Sequence, residues 1–439
     1  MTALDEKAGT EKILDETAVE KETVGVAESY MELESQVGAH NYHPMPVVLT
    51  RGSGCMMEDV DGRIYFDFLS AYSSINQGHG NSRIVEAMIA QARRLDLTSR
   101  AFYNDQLGLA EKLLTETFGY DKALFMNTGV EAVETALKLG RRWAYDVKGI
   151  AANEALIVVA ENNFHGRTLG VISFSSDPES FSGYGPFLPG FLKVPFGDSQ
   201  AMIQVIKENS ERLAAVLLEP IQGEAGIVVP PAGYLKAVSE ACRENNVLLI
   251  LDEIQTGFGR TGKLLCHYYD DIRPDIICLG KALGGGVYPV SCVLADDPIM
   301  LTIRPGQHGS TYGGNPIGSA VAVAAVKEIL ERDLSKQAAE KGLVFQKLLQ
   351  SIQHDFPHII QEVRGRGLLW GVVIYPQFSA WQLCLHLKDL GLLAKPTHDH
   401  IIRLAPPLII TQPELHKAAD IVRSAVGELE PSPKLTLSN

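Results

Sequence analysis

The feature that most constrains the fold is a series of short, continuously apolar runs separated by segments with helical periodicity. Such a segment is 234–242, whose apolar residues share one face of a helix. Strands without polar alternation are typical of a mostly parallel sheet covered by helices on both faces, so the sequence predicts an α/β fold. The runs are Ala123–Met126, Leu156–Ala160, Ala214–Leu218, Val247–Leu251, Ile276–Leu279 and Ser291–Leu294.

The sequence pattern differs along the rest of the chain and predicts a tail, an arm and two domains. Residues 1–34 hold ten acidic residues against three lysines and few large apolar ones, which predicts a disordered tail. Residues 35–72 are irregular and predict an N-terminal arm. The large domain is predicted to span 73–331. A smaller C-terminal α+β domain is predicted over 332–439, because a helical stretch precedes short strand-like runs there.

The amino-acid composition limits which binding partners and which cellular compartment we expect for this protein. The net charge of −14 argues against nucleic acid and anionic membranes, and no apolar run is long enough to span a bilayer. The six cysteines form no CxxC pair and indicate reduced thiols, while residues 1–34 lack arginine and a secretory core. We therefore expect a cytoplasmic location. His398 and His400 have no clustered ligands near them, so no metal site is predicted.

Two polar residues follow neighbouring strand-like runs. Asp252 comes directly after Val247–Leu251, and Lys281 comes after Ile276–Leu279 and shortly before Gly284-Gly285-Gly286. The carboxyl ends of parallel strands form one ligand-binding edge. A desolvated lysine loses its proton and can attack a carbonyl, and glycines allow a flat ligand to approach. An ordinary Asp252–Lys281 salt bridge is the alternative interpretation.

The two runs LLILDEIQTGFGRTGK and DIICLGKALGGGVYPV resemble the signature of class-III aminotransferases, which are fold-type-I enzymes dependent on pyridoxal 5'-phosphate. The resemblance extends over most of the chain from about Gly38. It implies that Lys281 forms a Schiff base with the cofactor and then acts as general base. It also implies that Asp252 pairs with the pyridinium nitrogen and that Gln255 lies by the ring's 3-oxygen.

Two segments are candidates for the cofactor phosphate. Thr128, Gly129 and Val130 open a helix after a strand, where backbone N–H groups suit an anion, although a simple helix cap is equally compatible with them. Ser310 and Thr311 form the second candidate. The resemblance implies that Thr311 reaches the phosphate of the neighbouring subunit, and hence a homodimer with shared active sites.

Segments 38–44, 68–73, 98–104, 222–226 and 392–397 resemble the ornithine aminotransferase family in particular. That resemblance implies that Phe164 stacks on the cofactor ring and that Arg167 binds the α-carboxylate of the donor. Tyr42 corresponds to a contact for the α-amine, and Tyr72 to the residue associated with preferring ornithine over 4-aminobutyrate. The resemblance thus implies that the arm over residues 35–72 contributes to the active site. One departure is His165, which stands where animal members carry tryptophan.

The resemblance also implies a switch. Arg403 matches the arginine that binds the α-carboxylate of 2-oxoglutarate, and Glu224 matches the glutamate that covers Arg403 during the first half-reaction. A permanent structural salt bridge is the alternative for this pair.

The predicted reaction transfers the δ-amino group of L-ornithine to 2-oxoglutarate, giving glutamate 5-semialdehyde, which cyclises to pyrroline-5-carboxylate, and glutamate. The alternatives are an acetylornithine or 4-aminobutyrate aminotransferase, or an ω-aminotransferase of relaxed specificity. A catalytically inactive binding or scaffold protein with this fold is the alternative from a different class.

Overall fold

The computed structural model describes residues 25–431, which fall into two compact units. The first unit consists of the chain up to Arg51 together with the segment Glu58–Arg63. The second unit consists of Gly52–Met57 and the chain from Ile64 onward. Helix α1 in the first unit, Val26–Val37, buries no side chain. The predicted acidic tail therefore ends in a helix over residues 26–34, whereas residues 1–24 of that tail lie outside the described residues.

The helices and strands follow one another along most of the chain. The strands are β1 Leu49–Ser53, β2 Met56–Asp59, β3 Ile64–Asp67, β4 Lys122–Met126, β5 Leu156–Ala160, β6 Phe191–Val194, β7 Leu213–Leu218, β8 Leu248–Asp252, β9 Ile276–Leu279, β10 Ser291–Ala295, β11 Ile360–Arg366, β12 Leu369–Ile374, β13 Leu392–Leu393, β14 Lys395–Pro396 and β15 Ile401–Leu404. The helices after α1 are α2 Ser70–Ser73, α3 Ser82–Ala92, α4 Leu107–Phe118, α5 Gly129–Trp143, α6 Leu169–Ile172, α7 Pro178–Phe181, α8 Ser199–Glu208, α9 Tyr234–Glu244, α10 Asp297–Met300, α11 Pro316–Glu331, α12 Leu334–Asp355, α13 Ala380–Asp389 and α14 Gln412–Gly427. Short 3-10 turns cover Cys266–Tyr269 and Lys281–Gly284, and a π turn covers Ala144–Lys148.

The largest sheet has the strand order β4-β10-β9-β8-β7-β5-β6. Its neighbours pair in parallel except around β10, which runs antiparallel to both β4 and β9. The prediction of a mostly parallel sheet is confirmed. Five of its strands and the reversed strand β10 correspond to predicted apolar runs, whereas β6 was not predicted.

Both faces of this sheet are covered by helices. In β5, Ile157 and Val159 pack in the same apolar cluster as Val133 and Leu139 of α5. The alternate residue Val158 belongs to a second cluster that contains α8 and α9. Because successive side chains of a strand point to opposite faces, these clusters lie on opposite sides of the sheet. Each fully buried aliphatic side chain contributes about 1.5–3 kcal/mol, so the two layers fix the strand ends firmly.

A smaller sheet has the order β11-β12-β15-β14 and is antiparallel. Its register places Arg403 of β15 between Gly371 of β12 and Lys395 of β14. Helix α12 packs against β11 and α14, and α13 packs against β14. The predicted division at residues 331 and 332 falls between α11 and α12.

Arg260 joins segments that are distant in the sequence. Its guanidinium, 0% exposed, donates from Nη1 to the carbonyl oxygens of Leu368 and Pro406 at 2.9 and 2.6 Å. Nε and Nη2 donate to Oδ1 of Asn76 at 3.2 and 2.6 Å. Burial lowers the pKa of Arg260 to about 9. The small sheet is thus attached to the loop after β8 by a buried cation.

Helix α2 is a left-handed turn. Ser70, Ala71, Tyr72 and Ser73 have φ values of +48°, +45°, +58° and +75°. For residues other than glycine this conformation costs about 1–2 kcal/mol each. Oδ1 of Asp67 accepts the N–H groups of Leu69 and Ser70 at 2.9 and 2.7 Å, which offsets part of that cost.

Candidate active site

Asp252 and Lys281 lie at the carboxyl ends of the neighbouring parallel strands β8 and β9. A cavity of about 260 Å³ opens at this edge of the sheet. The structure therefore brings together most of the residues that the sequence predicted to bind a cofactor. The predicted residues that line the cavity are Gly129, Val130, Phe164, Glu224, Asp252, Gln255 and Lys281.

Lys281 is half-buried in the cavity wall and has a φ of +46°. Loss of hydration lowers the pKa of its amine, and the positive charge of Arg403 lowers it further, while Glu224 opposes the shift. A neutral amine is the form that attacks a carbonyl. The expected role of the nearby glycines is wrong, because none of the three lines the cavity. A Cβ on Gly285 or Gly286 would instead lie within 3 Å of Ile84 or Ile75, respectively.

Asp252 is held by two donors. Its Oδ1 accepts the N–H of Ile254 at 3.0 Å, and its Oδ2 lies 2.8 Å from Nδ1 of His165. The carboxylate therefore pairs with an imidazole, which differs from the simple Asp252–Lys281 salt bridge considered above. Burial lowers the pKa of His165, but the hydrogen bond and the charge of Asp252 outweigh it and the net pKa is raised. Nε2 of His165 is buried without a hydrogen-bond partner in the described chain.

Glu219 lines the same cavity and was missed in the sequence. Its two carboxyl oxygens accept the N–H groups of Phe164 and Gly223 at 3.1 and 3.2 Å. Burial raises its pKa to about 7. Glu219 directly follows the apolar run Ala214–Leu218, and His165 lies five residues after another such run. Their places beyond strand ends were the signal that could have identified them.

Glu224 and Arg403 form an ion pair, with Oε1 of Glu224 2.9 Å from Nη1 of Arg403. Burial raises the pKa of Glu224, but the charge and hydrogen bond of Arg403 outweigh it and bring the pKa to about 2. Nη2 of Arg403 donates to Oγ1 of Thr397 at 3.1 Å. With its amide oxygen facing the cations, Gln255 accepts from Arg403 Nη1 and Lys281 Nζ, both at 3.1 Å.

Of the aromatic and cationic candidates, Tyr72 lies beside this pair. The ring centre of Tyr72 is 5.2 Å from Cζ of Arg403. Arg167 is exposed; its Cζ lies 5.5 Å from the ring centre of Phe164, and its Nη1 donates to Ser180 at 2.7 Å. Tyr42 belongs to the first unit and is 72% exposed. The roles of Arg167 and Tyr42 stay predictions.

The phosphate candidates are also close to one another. Thr128 caps α5 through a capping box with Glu131, as the alternative interpretation holds, and Gly129 and Val130 of the same turn line the cavity. Nδ2 of Asn127 donates to Oγ of Ser310 at 2.9 Å, which ties the two segments together. Thr311 is exposed.

The model of the family described as Aminotransferase class-III matches residues 37–426. The chain belongs to the class-III aminotransferases. Two relatives of this aminotransferase are 52% identical to it: a probable mitochondrial ornithine aminotransferase of Caenorhabditis elegans, covering 92% of this chain and 94% of that protein, and a mitochondrial ornithine aminotransferase of Oryza sativa subsp. japonica, covering 94% and 89%.

Solved structures of related enzymes agree with the fold of this class-III aminotransferase. The ornithine aminotransferase of Toxoplasma gondii ME49 has a TM-score of 0.90 at 41% identity, covering 92% of this chain and 96% of that one. The acetylornithine aminotransferase of Elizabethkingia anophelis has a TM-score of 0.84 at 49% identity, covering 92% and 99%.

Class-III aminotransferases are pyridoxal-phosphate enzymes, and the residues of this cavity fit that cofactor. When bound, the cofactor supplies an aldehyde and an electron-withdrawing pyridine ring. Lys281 offers an amine whose pKa is lowered, and Asp252 offers a fixed carboxylate to a ring nitrogen. The first turn of α5 offers N–H groups to a phosphate.

The expected cytoplasmic location is wrong, since the relatives from C. elegans and O. sativa are named mitochondrial. Buried thiols indicate a reducing environment but not which compartment supplies it. Across residues 25–431, no helix is long and apolar enough to cross a membrane.

Proposed function

We propose that this aminotransferase moves the δ-amino group of L-ornithine to 2-oxoglutarate, giving glutamate 5-semialdehyde and glutamate. The observation that carries the proposal is the Glu224–Arg403 ion pair beside Lys281. A donor that reacts through its terminal amine keeps its carboxylate far from the reacting lysine. An uncovered Arg403 would attract that carboxylate and turn the donor around.

Glu224 blocks Arg403 by pairing with it, and 2-oxoglutarate displaces Glu224 from this ion pair. While Glu224 neutralises Arg403, a monocarboxylate donor gains little by binding there. The α-carboxylate of 2-oxoglutarate makes the same charge-assisted contacts, so it can displace Glu224 and place its carbonyl carbon near Lys281. Glu224 keeps 32% of its side chain exposed, whereas Arg403 keeps 1%, which makes the glutamate the partner with room to move.

The remaining side chains then have complementary tasks. Arg167 holds the donor carboxylate, and Tyr42 contacts its α-amine. Tyr72 favours ornithine over 4-aminobutyrate by occupying space beside Arg403. Lys281 takes the proton from the substrate carbon that bears the reacting amino group, a task that suits an amine with a lowered pKa.

An acetylornithine aminotransferase is the second candidate, because the E. anophelis enzyme of that name is 49% identical and has the same fold. N-acetylornithine carries no charge on its α-nitrogen. A site built for it needs no polar partner such as Tyr42 for an ammonium group.

We also propose that the enzyme is a homodimer with shared active sites. Tyr103 is 100% exposed and Phe102 72%, an unusual exposure for aromatic side chains. Nδ2 of Asn104 donates to the carbonyl of Gly314 at 3.3 Å, so this aromatic segment adjoins the exposed loop with Thr311. Thr311 is thereby suited to reach the phosphate of a second copy. Sedimentation velocity tests the dimer, and mixing of Lys281→Ala and Thr311→Val chains tests whether sites are shared.

The deciding experiment measures pyrroline-5-carboxylate and glutamate formation by the purified holoenzyme. Ornithine, N-acetylornithine and 4-aminobutyrate are compared at equal concentrations with 2-oxoglutarate as acceptor. A clear preference for ornithine supports the proposal. A preference for N-acetylornithine replaces it by the second candidate, and no turnover with any of the three refutes both.

A further inference from the structure

The left-handed turn α2 carries Tyr72, and several contacts hold it in that strained conformation. Oγ of Ser70 donates to the carbonyl oxygen of Ala405 at 2.7 Å, and the N–H of Ala405 donates to the carbonyl oxygen of Phe68 at 2.7 Å. Ser70 is 0% exposed, and Ala405 directly follows strand β15, which carries Arg403. The turn is therefore attached to the strand that presents Arg403.

A second set of contacts supports the turn from the other side. Asp67 accepts two N–H groups of the turn through Oδ1, while its Oδ2 lies 2.7 Å from Nε2 of His79. Nε2 of Gln77 donates to the carbonyl oxygen of Ala282 at 2.9 Å, next to Lys281. The chain after the turn is thus fixed beside Lys281, and Asp67 ties the start of the turn to His79.

These contacts determine where the aromatic ring of Tyr72 lies. The face of Tyr72 lies 5.2 Å from Cζ of Arg403, and Nζ of Lys395 lies 5.9 Å from the same ring centre. The ring covers one side of a guanidinium that is 1% exposed and whose Nη1 binds Glu224. The face of Arg403 against the ring is closed to a carboxylate, while its Nη1 is occupied by Glu224.

Backbone strain persists only where the surroundings determine it, and such strain concentrates at functional sites. We propose that Ser70 is a positioning residue that holds Tyr72 over Arg403 and thereby determines substrate selectivity. The inference rests on the proposed function, because Tyr72 must lie beside the bound substrate for its position to matter. Without the Ser70–Ala405 hydrogen bond, the turn relaxes, the ring withdraws, and donors reach Arg403 more easily.

The chain offers a matched pair of variants for the test. Ser73 lies in the same turn and is 2% exposed, and its hydroxyl has no hydrogen-bond partner among the described residues. Ser70→Ala and Ser73→Ala remove the same atom from neighbouring buried positions, but only Ser70→Ala removes the bond to Ala405. Both holoenzymes are assayed with ornithine and with 4-aminobutyrate, and their melting temperatures are recorded.

For Ser70→Ala we expect the ratio of kcat/KM for ornithine to that for 4-aminobutyrate to fall about tenfold, or about 1.4 kcal/mol. The kcat with saturating ornithine should stay within about twofold of the parental value. Ser73→Ala should keep the parental ratio. Equal ratios in both variants, or a fall in kcat alone, would overturn the positioning role.

A second pair changes the backbone without touching the buried contacts. Ala71 is exposed and has a φ of +45°. Glycine adopts this conformation readily, whereas a β-branched residue strongly resists it. Ala71→Val should therefore reproduce the loss of selectivity, and Ala71→Gly should retain it. Parental selectivity in Ala71→Val contradicts the proposal even if Ser70→Ala fails to fold; a parent protein inactive with ornithine refutes the proposed function instead.

Discussion

Nδ1 of His165 lies 2.8 Å from Oδ2 of Asp252, and the imidazole has no exposed side-chain surface. The other carboxyl oxygen of Asp252 accepts the N–H of Ile254. Because both oxygens are occupied, the carboxylate has one orientation before any cofactor binds. His165 therefore supports the residue that is to face the cofactor ring.

We expect His165→Phe to weaken the binding of pyridoxal phosphate by at least about tenfold. Phenylalanine fills the space but leaves a buried carboxylate oxygen without its donor, and a hydrogen bond to a charged group is worth about 1.5–3 kcal/mol. Equilibrium titration of the apoenzyme, followed by absorbance of the bound cofactor, measures the change. His165→Asn is the control, because its amide can donate from nearly the place of Nδ1. Equal affinities of wild type and His165→Phe would contradict the supporting role.

Lys281→Ala should lose more than about three orders of magnitude in turnover while the protein stays folded. The reason is that the lysine is the amine with the lowered pKa in the cavity. Because burial disfavours the charged form of Lys281, we expect no fall in melting temperature when the amine is removed. Assays with ornithine and thermal denaturation test both statements. Substantial turnover in Lys281→Ala would refute its assignment.

Glu224→Gln should relax discrimination between the two amino groups of ornithine and lower the KM for 2-oxoglutarate. The variant keeps the shape of the side chain but no longer neutralises Arg403. Because the pKa of Glu224 is about 2, its ion pair forms fully above the ordinary carboxyl pKa and is lost only as the pH falls towards 2. Discrimination by the wild type should therefore be flat between about pH 6 and 9. The ratio of δ- to α-transfer products measures it, and an unchanged ratio in the variant would favour a permanent salt bridge.

Thr397→Val should raise the KM for 2-oxoglutarate about fivefold with little change in kcat. Valine has nearly the shape of threonine but cannot accept the hydrogen bond from Nη2 of Arg403, a contact worth about 1 kcal/mol. Steady-state kinetics at saturating ornithine provide the measurement. Thr397→Ser restores the hydroxyl and should restore the KM; failure of this rescue would mean that packing, not the hydrogen bond, is responsible.

Glu219 should make the protein less stable as the pH rises from about 4.5 to about 7. Its folded-state pKa is raised by burial to about 7, so the stability it contributes is complete below 4.5 and is lost as the pH rises through 7. The full effect is on the order of 3 kcal/mol. Urea unfolding at pH 5 and pH 8 tests this, with Glu219→Gln expected to show a smaller difference between the two. If the wild type and Glu219→Gln lost the same stability between pH 5 and pH 8, the raised pKa of Glu219 would not be the cause.

The strands of the large sheet could be predicted because they are continuously apolar. The runs at 156–160 and 276–279 have the same bounds as β5 and β9. Strand β6 was missed because Phe191–Val194 is short and includes the exposed Lys193. The reversal of β10 was also not predicted, since apolar character does not encode strand direction.

The site was predictable where the residues follow strand ends, as Asp252 and Lys281 do. Contacts between distant residues were not, and the hydrogen bond between Ser70 and Ala405 joins residues 335 positions apart. The glycines after Lys281 show the opposite error. Their missing side chains make room for Ile75 and Ile84, a packing reason that local sequence does not distinguish from ligand access.

The buried Arg260 has a consequence for how the chain is made. Its carbonyl partners belong to Leu368 and Pro406, which are synthesised 108 and 146 residues after it. During synthesis the strands up to β8 can form while this guanidinium still needs water or a temporary partner. Only when nearly the whole chain has left the ribosome can Arg260 be enclosed without loss of hydrogen bonds. Closing of the small sheet over this cation therefore cannot precede the synthesis of Pro406, and a chain that stops before residue 406 lacks one of the two carbonyl acceptors of Arg260.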